Sequence, residues 1–192
     1  MAAPSTRDTV QDLVTSYEKT HSGITISQTY AGSKIVQSEV TQGAQIDVVI
    51  LSSDVGSKIS SLFDEKRSLY KDHTTIAISN GAAAKINDPK DLGKPGVRIG
   101  AGSPNSVTEE FEYATVLKLA NHIGQDFPKK YHANILSVRT DSLKLLDLLK
   151  ANQIDAVIVF SSLIDASKMK EISIPSDSQV SVEYVSGALK SS

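Results

Sequence analysis

The sequence ITISQTYAGSK, residues 24–34, predicts a β-strand, a tight corner and then a helix. The alternation of Ile24 and Ile26 is typical of a strand. Gly32 allows a sharp turn because it has no Cβ atom, and Ser33 stands where a helix N-cap belongs. Unpaired amides and the dipole at a helix start favour an anion. The corner is a candidate anion site, although an ordinary capped helix explains the same residues.

Similar hydroxyl-rich corners follow other predicted strands. Near-continuous apolar runs at 46–51 and 155–160 are typical of parallel strands that are covered on both faces. Because ligands of open parallel sheets bind at the carboxyl ends of the strands, we expect these corners to converge on a small oxyanion held by neutral donors. The corners are Ser5-Thr6, Gly32-Ser33, Ser52-Ser53, Ser103-Pro104-Asn105-Ser106, Asp141-Ser142 and Ser161-Ser162.

Strands and helices alternate along the chain, which predicts an α/β fold with parallel sheets. Apolar spacing predicts helices near residues 10–17, 34–41, 55–63, 108–122 and 143–150, and strands near 75–79, 97–100 and 180–185. Phe127-Pro128 is predicted to close a loop. We expect two lobes, one of residues 1–74 and 166–192 and one of residues 75–165.

Composition excludes several classes of function. The chain has 192 residues, a formal net charge of −2, no Cys and no Trp. The net charge gives no electrostatic reason to expect nucleic-acid binding, because a nucleic-acid interface usually carries a basic patch. The absence of Cys excludes disulfides and thiolate metal sites. No apolar run has the roughly 20 residues that a membrane span requires. Residues 1–4 have neither the basic nor the apolar region of a signal peptide, so we expect either a cytosolic protein or one from which a leader was removed.

Motifs for catalysis are missing from the sequence. There is no G-x-S-x-G elbow, no P-loop, and only an incomplete Gly-rich stretch at 100–102. The four histidines show no metal-ligand spacing. An enzyme is therefore a minor alternative, and we expect neither a cofactor nor a metal.

The order of motifs resembles the molybdate- and tungstate-binding proteins of ABC importers over nearly the whole chain. The resemblance rests on Ala2-Ala3-Pro4-Ser5-Thr6, Tyr30-Ala31-Gly32-Ser33, Gly43-Ala44-Gln45-Ile46-Asp47-Val48, Ser103-Pro104-Asn105 and the segment 139–160. It implies a class II periplasmic-binding-protein-like fold, in which two lobes with mostly parallel sheets close on the ligand. It further implies a monomer outside the cytoplasm that delivers its anion to the importer's permease. Nucleic acid is not expected as a partner, because the net charge of −2 gives no electrostatic reason for it.

By position, the resemblance assigns ligand roles to serines of both lobes. Ser5 and Ser33 would bind the anion from lobe one, and Ser106 or its neighbours and Ser142 from lobe two. Phe160 falls where the family often has a Tyr whose hydroxyl reaches the oxyanion. The full predicted set is Ser5, Thr6, Gly32, Ser33, Ser53, Asn105, Ser106, Ser142 and Phe160.

The sequence also departs from the family. Phe160 lacks the tyrosine hydroxyl, Glu109 and Glu110 would repel an anion that they faced, and Lys144 replaces a ligating Glu of the archaeal branch. Two alternatives therefore stay open. The chain can be a ligand-sensing domain of the same fold that is not coupled to transport, or it can bind an organic ligand, which Phe160 and Tyr30 favour.

Overall fold

The computed structural model describes residues 1–104, 106–139 and 142–190. The chain divides into two compact units: unit 1 is Met1–Lys71 with Val182–Ser192, and unit 2 is Asp72–Ser181. In chain order the elements are α1 (Arg7–Thr20), α2 (Ser33–Thr41), β1 (Val48–Ser52), α3 (Ser53–Lys58), β2 (Phe63–Ser79), β3 (Ile99–Gly102), α4 (Val107–Ile123), α5 (Phe127–Ala133), β4 (Ile135–Arg139), α6 (Ser142–Lys150), β5 (Ala156–Phe160), β6 (Met169–Ile172) and β7 (Ser181–Leu189). Short 3₁₀ turns lie at Pro4–Thr6, Ser60–Leu62, Asn80–Ala82, Pro89–Gly93 and Ser161–Leu163.

The return of the chain to unit 1 comes later than the sequence suggested. We expected residues 166–181 in the first lobe, whereas the structure places them in unit 2. The reason is that β6 pairs antiparallel with residues 76–79 of β2, and Ile174 packs into the core of unit 2.

Unit 1 is built on short parallel segments beside β1. Ala2 bridges both Tyr30 and Ile50 in parallel, and the backbone bonds Ala2 N to Thr29 O (2.9 Å) and Ala3 N to Ile50 O (2.8 Å) hold the segments together. On its other side β1 pairs antiparallel with β7. One apolar cluster of this unit consists of Val36, Val40, Val49, Leu51, Val55, Ile59 and Phe63. A second contains Ala2, Val10 and Val14.

The expected strand at residues 24–30 is wrong. Only Tyr30 forms a bridge, and Ile24 and Ile26 are exposed. Their alternation matched a half-buried strand, but backbone pairing of this segment with Ala2 is limited to residues 29–31. The helix expected around 55–63 is also shorter than predicted, since α3 ends at Lys58 and Phe63 begins β2.

Unit 2 contains a mixed sheet with the strand order β6-β2-β5-β3-β4. β3 is parallel to β4 and β5, whereas β2 is antiparallel to β5 and β6. The sheets are therefore mixed, and the prediction of mostly parallel sheets is wrong. That prediction relied on continuous apolar runs, which indicate burial on both faces but not strand direction.

Helices cover both faces of the sheet of unit 2. One face packs against Val116 and Leu119 of α4 and Phe127 and Tyr131 of α5. The other packs against α6 through Leu145, Leu146 and Leu149. The loop predicted at Phe127-Pro128 is instead the start of α5. Proline is tolerated in the first turn of a helix because its missing N–H would have no partner there.

Candidate functional site

The carboxyl edge of unit 1 brings together the first set of predicted residues. The parallel segments around Ala2, Tyr30 and β1 end on the same side and lead into the Pro4–Thr6 turn, α2 and α3 respectively. Ser5, Thr6, Gly32, Ser33 and Ser53 lie in these three connections. The pairing of the backbone thus brings these corners to one edge of unit 1, and their role in holding an anion stays a prediction.

Ser5 and Thr6 have different roles in this edge. The half-buried Ser5 has its Oγ 2.5 Å from the phenolic oxygen of Tyr184. Thr6 is buried, and its Oγ1 donates to the carbonyl oxygen of Ala3 at 2.8 Å. Because that donation uses the only hydroxyl proton of Thr6, Ser5 is the better donor for a ligand.

Ser33 is the first residue of α2 rather than its N-cap, which is Gly32. Gly32 has φ −56°, so the corner does not use the left-handed conformation that glycine allows. The buried Ser33 Oγ accepts a hydrogen bond from the amide of Ser52 at 3.1 Å. This bond occupies a lone pair of the Ser33 oxygen and leaves its proton for donation elsewhere. Ser53, half-buried, begins α3 next to this pair.

The carboxyl edge of unit 2 carries the second set. The parallel strands β3, β4 and β5 lead into α4, α6 and the Ser161–Leu163 turn. Ser106 is the N-cap of α4, and its Oγ accepts from the amide of Glu109 at 3.0 Å. The buried Ser142 begins α6, with its Oγ 3.3 Å from Thr108 Oγ1. Ser106 and Ser142 therefore lie at neighbouring helix starts, whereas Asn105 lies outside the described residues.

Phe160 ends β5 at the same edge of unit 2 and is buried. Its ring meets Phe111 of α4 edge-on, with 5.0 Å between the ring centroids. This aromatic pair makes the edge more apolar at the position where the resemblance suggested a tyrosine hydroxyl.

The hydroxyls of Ser161 and Ser162 are used within the protein. Their Oγ atoms donate to the two carboxylate oxygens of Asp72, at 2.7 and 2.6 Å, and the amide of His73 donates to the same carboxylate at 2.8 Å. Asp72 is buried. The corner Ser161-Ser162 satisfies this internal carboxylate, so its hydroxyl protons are not directed to a ligand.

Glu112 is a buried acidic residue under the β3–α4 corner that the sequence reading did not single out. Its Oε2 accepts from the amide of Gly102 at 2.7 Å, and its Oε1 accepts from the Tyr131 hydroxyl at 2.9 Å. Burial raises the pKa of Glu112 to about 7; the Gly102 and Tyr131 hydrogen bonds oppose this, and the charge of Glu109 adds to it. The corner therefore holds a carboxyl group whose charge changes near neutral pH.

The sequence profile of the family described as bacterial extracellular solute-binding protein matches residues 1–192. The chain belongs to this family. The family consists of substrate-binding proteins of ABC-type importers, which are binding proteins rather than enzymes.

The curated relative YvgL of Bacillus subtilis (strain 168), classed as an ABC transporter substrate-binding lipoprotein, is 29% identical over 115 residues. That match covers 55% of this chain and 42% of YvgL, so the matched part is less than half of that relative.

Solved structures share the fold of this solute-binding protein. The periplasmic molybdate-binding protein of Azotobacter vinelandii has a TM-score of 0.79 at 15% identity, over 99% of this chain and 84% of that one. The sulfate-binding protein SubI of Mycobacterium tuberculosis H37Rv has a TM-score of 0.78 at 16% identity, over 100% of this chain and 74% of that one. PEB3 of Campylobacter jejuni with L-phospholactate bound has a TM-score of 0.74 at 17% identity, over 98% of this chain and 84% of that one. The predicted periplasmic-binding-protein-like fold is thereby confirmed.

The solute-binding protein also has a cavity of about 530 Å³ in unit 2, lined in part by Lys90, His122 and Ile174. It lies at the C-terminal end of α4, whereas Ser106 caps the N-terminal end. Since α4 has 17 residues and rises about 1.5 Å per residue, the cavity is remote from the hydroxyl edge of unit 2. None of the predicted site residues that the structure describes lines it.

Among the described residues there is neither a metal-binding cluster nor a membrane-spanning helix. Within residues 1–104, 106–139 and 142–190, no group of three or more His, Asp or Glu side chains could hold a metal ion. In the same part of the chain, no helix combines the length and apolar character needed to cross a bilayer.

The residue that sequence reasoning missed in unit 1 is Tyr184. It lies in β7, opposite Ser52 in the pairing with β1, and its hydroxyl contacts Ser5. A tyrosine in a terminal strand carries no motif, so only the pairing of β1 with β7 reveals this contact.

Proposed function

We propose that this solute-binding protein captures a tetrahedral oxyanion, molybdate or tungstate, outside the cytoplasm and delivers it to the permease of an ABC importer. The observation that carries the proposal is the hydroxyl edge of unit 1. There Ser5 and Ser33 lie at adjoining chain connections, and their recorded hydrogen-bond partners are the neutral groups Tyr184 Oη and Ser52 N.

The chemistry of this edge suits a fully ionised anion. Charge-assisted hydrogen bonds from hydroxyls and amides are stronger than neutral ones, and the start of α2 adds the favourable end of a helix dipole. In unit 2, Ser106 and Ser142 offer a comparable pair of hydroxyls at helix starts. These residues, with Thr6, Gly32, Ser53, Asn105 and Phe160, stay predictions as ligand-site residues.

The experiment is a thermal-shift panel with molybdate, tungstate, sulfate and phosphate at equal ionic strength. A ligand at 100 times its Kd stabilises the folded state by about 2.7 kcal/mol, which for a chain of this size raises Tm by about 5–10 °C. A shift with molybdate and tungstate but not with sulfate or phosphate supports the proposal. No shift with any of the four anions overturns it.

A second candidate ligand is a small organic anion that carries a phosphate or carboxylate group. The observation in its favour is the Phe160–Phe111 contact, which places apolar surface at the hydroxyl edge of unit 2. PEB3, which shares the fold, was solved with L-phospholactate bound. Adding phospholactate to the panel separates the two candidates, because a larger shift with phospholactate than with molybdate favours the organic ligand.

A further inference from the structure

Ser52 carries a buried hydroxyl at the end of β1. Ser52 is 1% exposed, and its Oγ has no hydrogen-bond partner within the described residues. Leaving a buried hydroxyl unpaired destabilises the folded state, and such groups are few in native proteins. Replacing this serine with alanine would remove the unpaired oxygen, so its presence calls for a physical explanation.

Helix capping does not supply that explanation. Ser52 is the N-cap residue of α3, a position where the serine oxygen normally accepts from an amide of the first turn. Here the side chain makes no capping hydrogen bond. The hydroxyl is therefore neither exposed to water nor engaged with the helix that it precedes.

The surroundings of Ser52 are the residues of the proposed anion site. Its amide donates to Ser33 Oγ at 3.1 Å, and on the other side it pairs in register with Tyr184, whose hydroxyl contacts Ser5. Standard bond lengths keep a serine Oγ within about 4 Å of its own amide nitrogen. The hydroxyls of Ser52 and Ser33 therefore lie within reach of a single tetrahedral anion.

We propose that Ser52 is a further ligand-binding residue, whose hydroxyl donates to an oxygen of the bound anion beside Ser33. This inference rests on the proposed function. In the ligand-free protein the hydroxyl has no partner among the described residues, and the anion supplies the acceptor. Anion binding removes the free-energy cost of the unpaired Ser52 hydroxyl, and this gain adds to the affinity.

The test compares Ser52→Ala with the matched control Ser79→Ala, using titration calorimetry with the anion that gives the largest thermal shift. Ser79 is 2% exposed and its Oγ likewise has no partner among the described residues. It ends β2, which runs antiparallel to β5, so Ser79 lies at the edge of the sheet opposite to Phe160 and in unit 2.

Ser52→Ala is expected to weaken anion binding at least about fivefold, equivalent to about 1 kcal/mol, because a hydrogen bond to a charged group is lost. The Tm of the ligand-free variant should be unchanged or higher, because an unpaired buried hydroxyl has been removed. Ser79→Ala should behave like Ser52→Ala in Tm and like the unaltered protein in affinity.

Two outcomes overturn the inference while leaving the proposed function in place. One is equal affinity of Ser52→Ala and the unaltered protein, within twofold. The other is a loss of affinity in Ser52→Ala with a lower Tm of the ligand-free variant, which a purely structural role would give. If the unaltered protein binds no oxyanion, the proposed function and this inference fall together.

A second variant tests the inference if Ser52→Ala folds poorly. Ser52→Cys has nearly the same shape, and its thiol is a much weaker donor; the natural chain has no Cys that could interfere. A folded Ser52→Cys with affinity reduced at least about fivefold supports the ligand role, and one with unchanged affinity overturns it.

Discussion

The hydroxyl oxygen of Ser5 lies 2.5 Å from the phenolic oxygen of Tyr184, across 179 positions of the chain. One of these two hydroxyls must donate to the other. When Tyr184 is the donor, the proton of Ser5 can be given to an anion oxygen. Tyr184, in the last strand, thus positions Ser5, which the sequence analysis had predicted to be a ligand-binding residue.

We expect Tyr184→Phe to weaken anion binding by about 0.5–1.5 kcal/mol, the net contribution of one hydrogen bond. The reason is that Ser5 loses the partner that orients its hydroxyl. Calorimetry with the preferred anion measures the change. Tyr17→Phe is the control, since Tyr17 is an exposed tyrosine of α1 in the same unit, and equal effects of the two variants would contradict the positioning role.

Ser33→Ala should weaken anion binding by about 1–3 kcal/mol, because a charge-assisted hydrogen bond is lost. It should also lower the stability of the ligand-free protein, since the buried amide of Ser52 loses its acceptor. Calorimetry and thermal unfolding separate the two effects. Ser38→Ala, an exposed serine of the same helix, should change neither, and unchanged anion affinity of Ser33→Ala would remove Ser33 from the site.

Gly102→Ala should prevent α4 from beginning in its native place. A Cβ at residue 102 would lie 2.3 Å from the backbone nitrogen of Glu109. Backbone cannot yield as a flexible side chain can, so we expect a loss of about 3 kcal/mol or more in the free energy of unfolding. Denaturant unfolding measures it. Gly32→Ala is the control, because an added Cβ there meets nothing within 4 Å, and similar losses in both variants would contradict the steric explanation.

Glu112 should make the stability of the protein fall as the pH rises. Its pKa in the folded state is about 7, above the usual 4.5, chiefly because of burial. The folded state therefore binds more protons than the unfolded state between these values, and stability declines through this window. At about 1.4 kcal/mol per pKa unit, the decline is about 3 kcal/mol.

The variant that tests this decline is Glu112→Gln, which cannot ionise. The groups that face Glu112 are Glu109 on its own helix, the Tyr131 hydroxyl of α5 and the amide of Gly102 at the end of β3. Urea unfolding at pH 5 and pH 8 should give a smaller difference for the variant than for the unaltered protein. Equal differences in the two proteins would show that Glu112 does not titrate in this range.

Asp155→Asn should destabilise unit 2 at neutral pH. Burial raises the pKa of Asp155, but the hydrogen bonds from Arg98 and Lys85 outweigh it and lower the pKa to about 2. The Arg98 guanidinium contacts Oδ1 at 2.7 Å and the Lys85 ammonium contacts Oδ2 at 2.7 Å. Because the pKa is depressed, this contribution of about 2 kcal/mol is present above pH 4 and is lost as the pH falls toward 2.

The measurement for Asp155→Asn is urea unfolding at pH 7 and pH 3. The variant should be less stable than the unaltered protein at pH 7 by about 2 kcal/mol, and the gap should narrow at pH 3. Asp126→Asn is the control, since Asp126 forms an exposed pair with Lys130, and its removal should change stability little. A gap that stays the same at both pH values would contradict the ion-pair explanation.

Local patterns predicted most helices and the buried strands correctly. The spacing of Val10 and Val14 marked α1, and the apolar run ending at Phe160 marked β5. The same patterns failed at Ile24 and Ile26, where alternation was present without a partner strand. They also failed at Pro128, which begins a helix instead of ending a loop.

Some residues of the candidate site could likewise be predicted from local sequence, and others could not. Ser106 could be proposed from the sequence because a serine between a strand and a helix is a favoured N-cap. Ser33 was proposed on the same ground, but it is the first residue of α2 and Gly32 is the N-cap. The internal use of Ser161 and Ser162 could not be foreseen, because Asp72 reaches them from a distant strand.

By itself, the sequence determined the alternation of strands and helices and the hydroxyl corners, because both depend on residues close together in the chain. Only the tertiary structure decided the direction of the strands, the partners of each hydroxyl and the place of Tyr184 beside Ser5. Those features depend on which distant strands pair, and pairing is set by packing across the whole unit rather than by any local pattern.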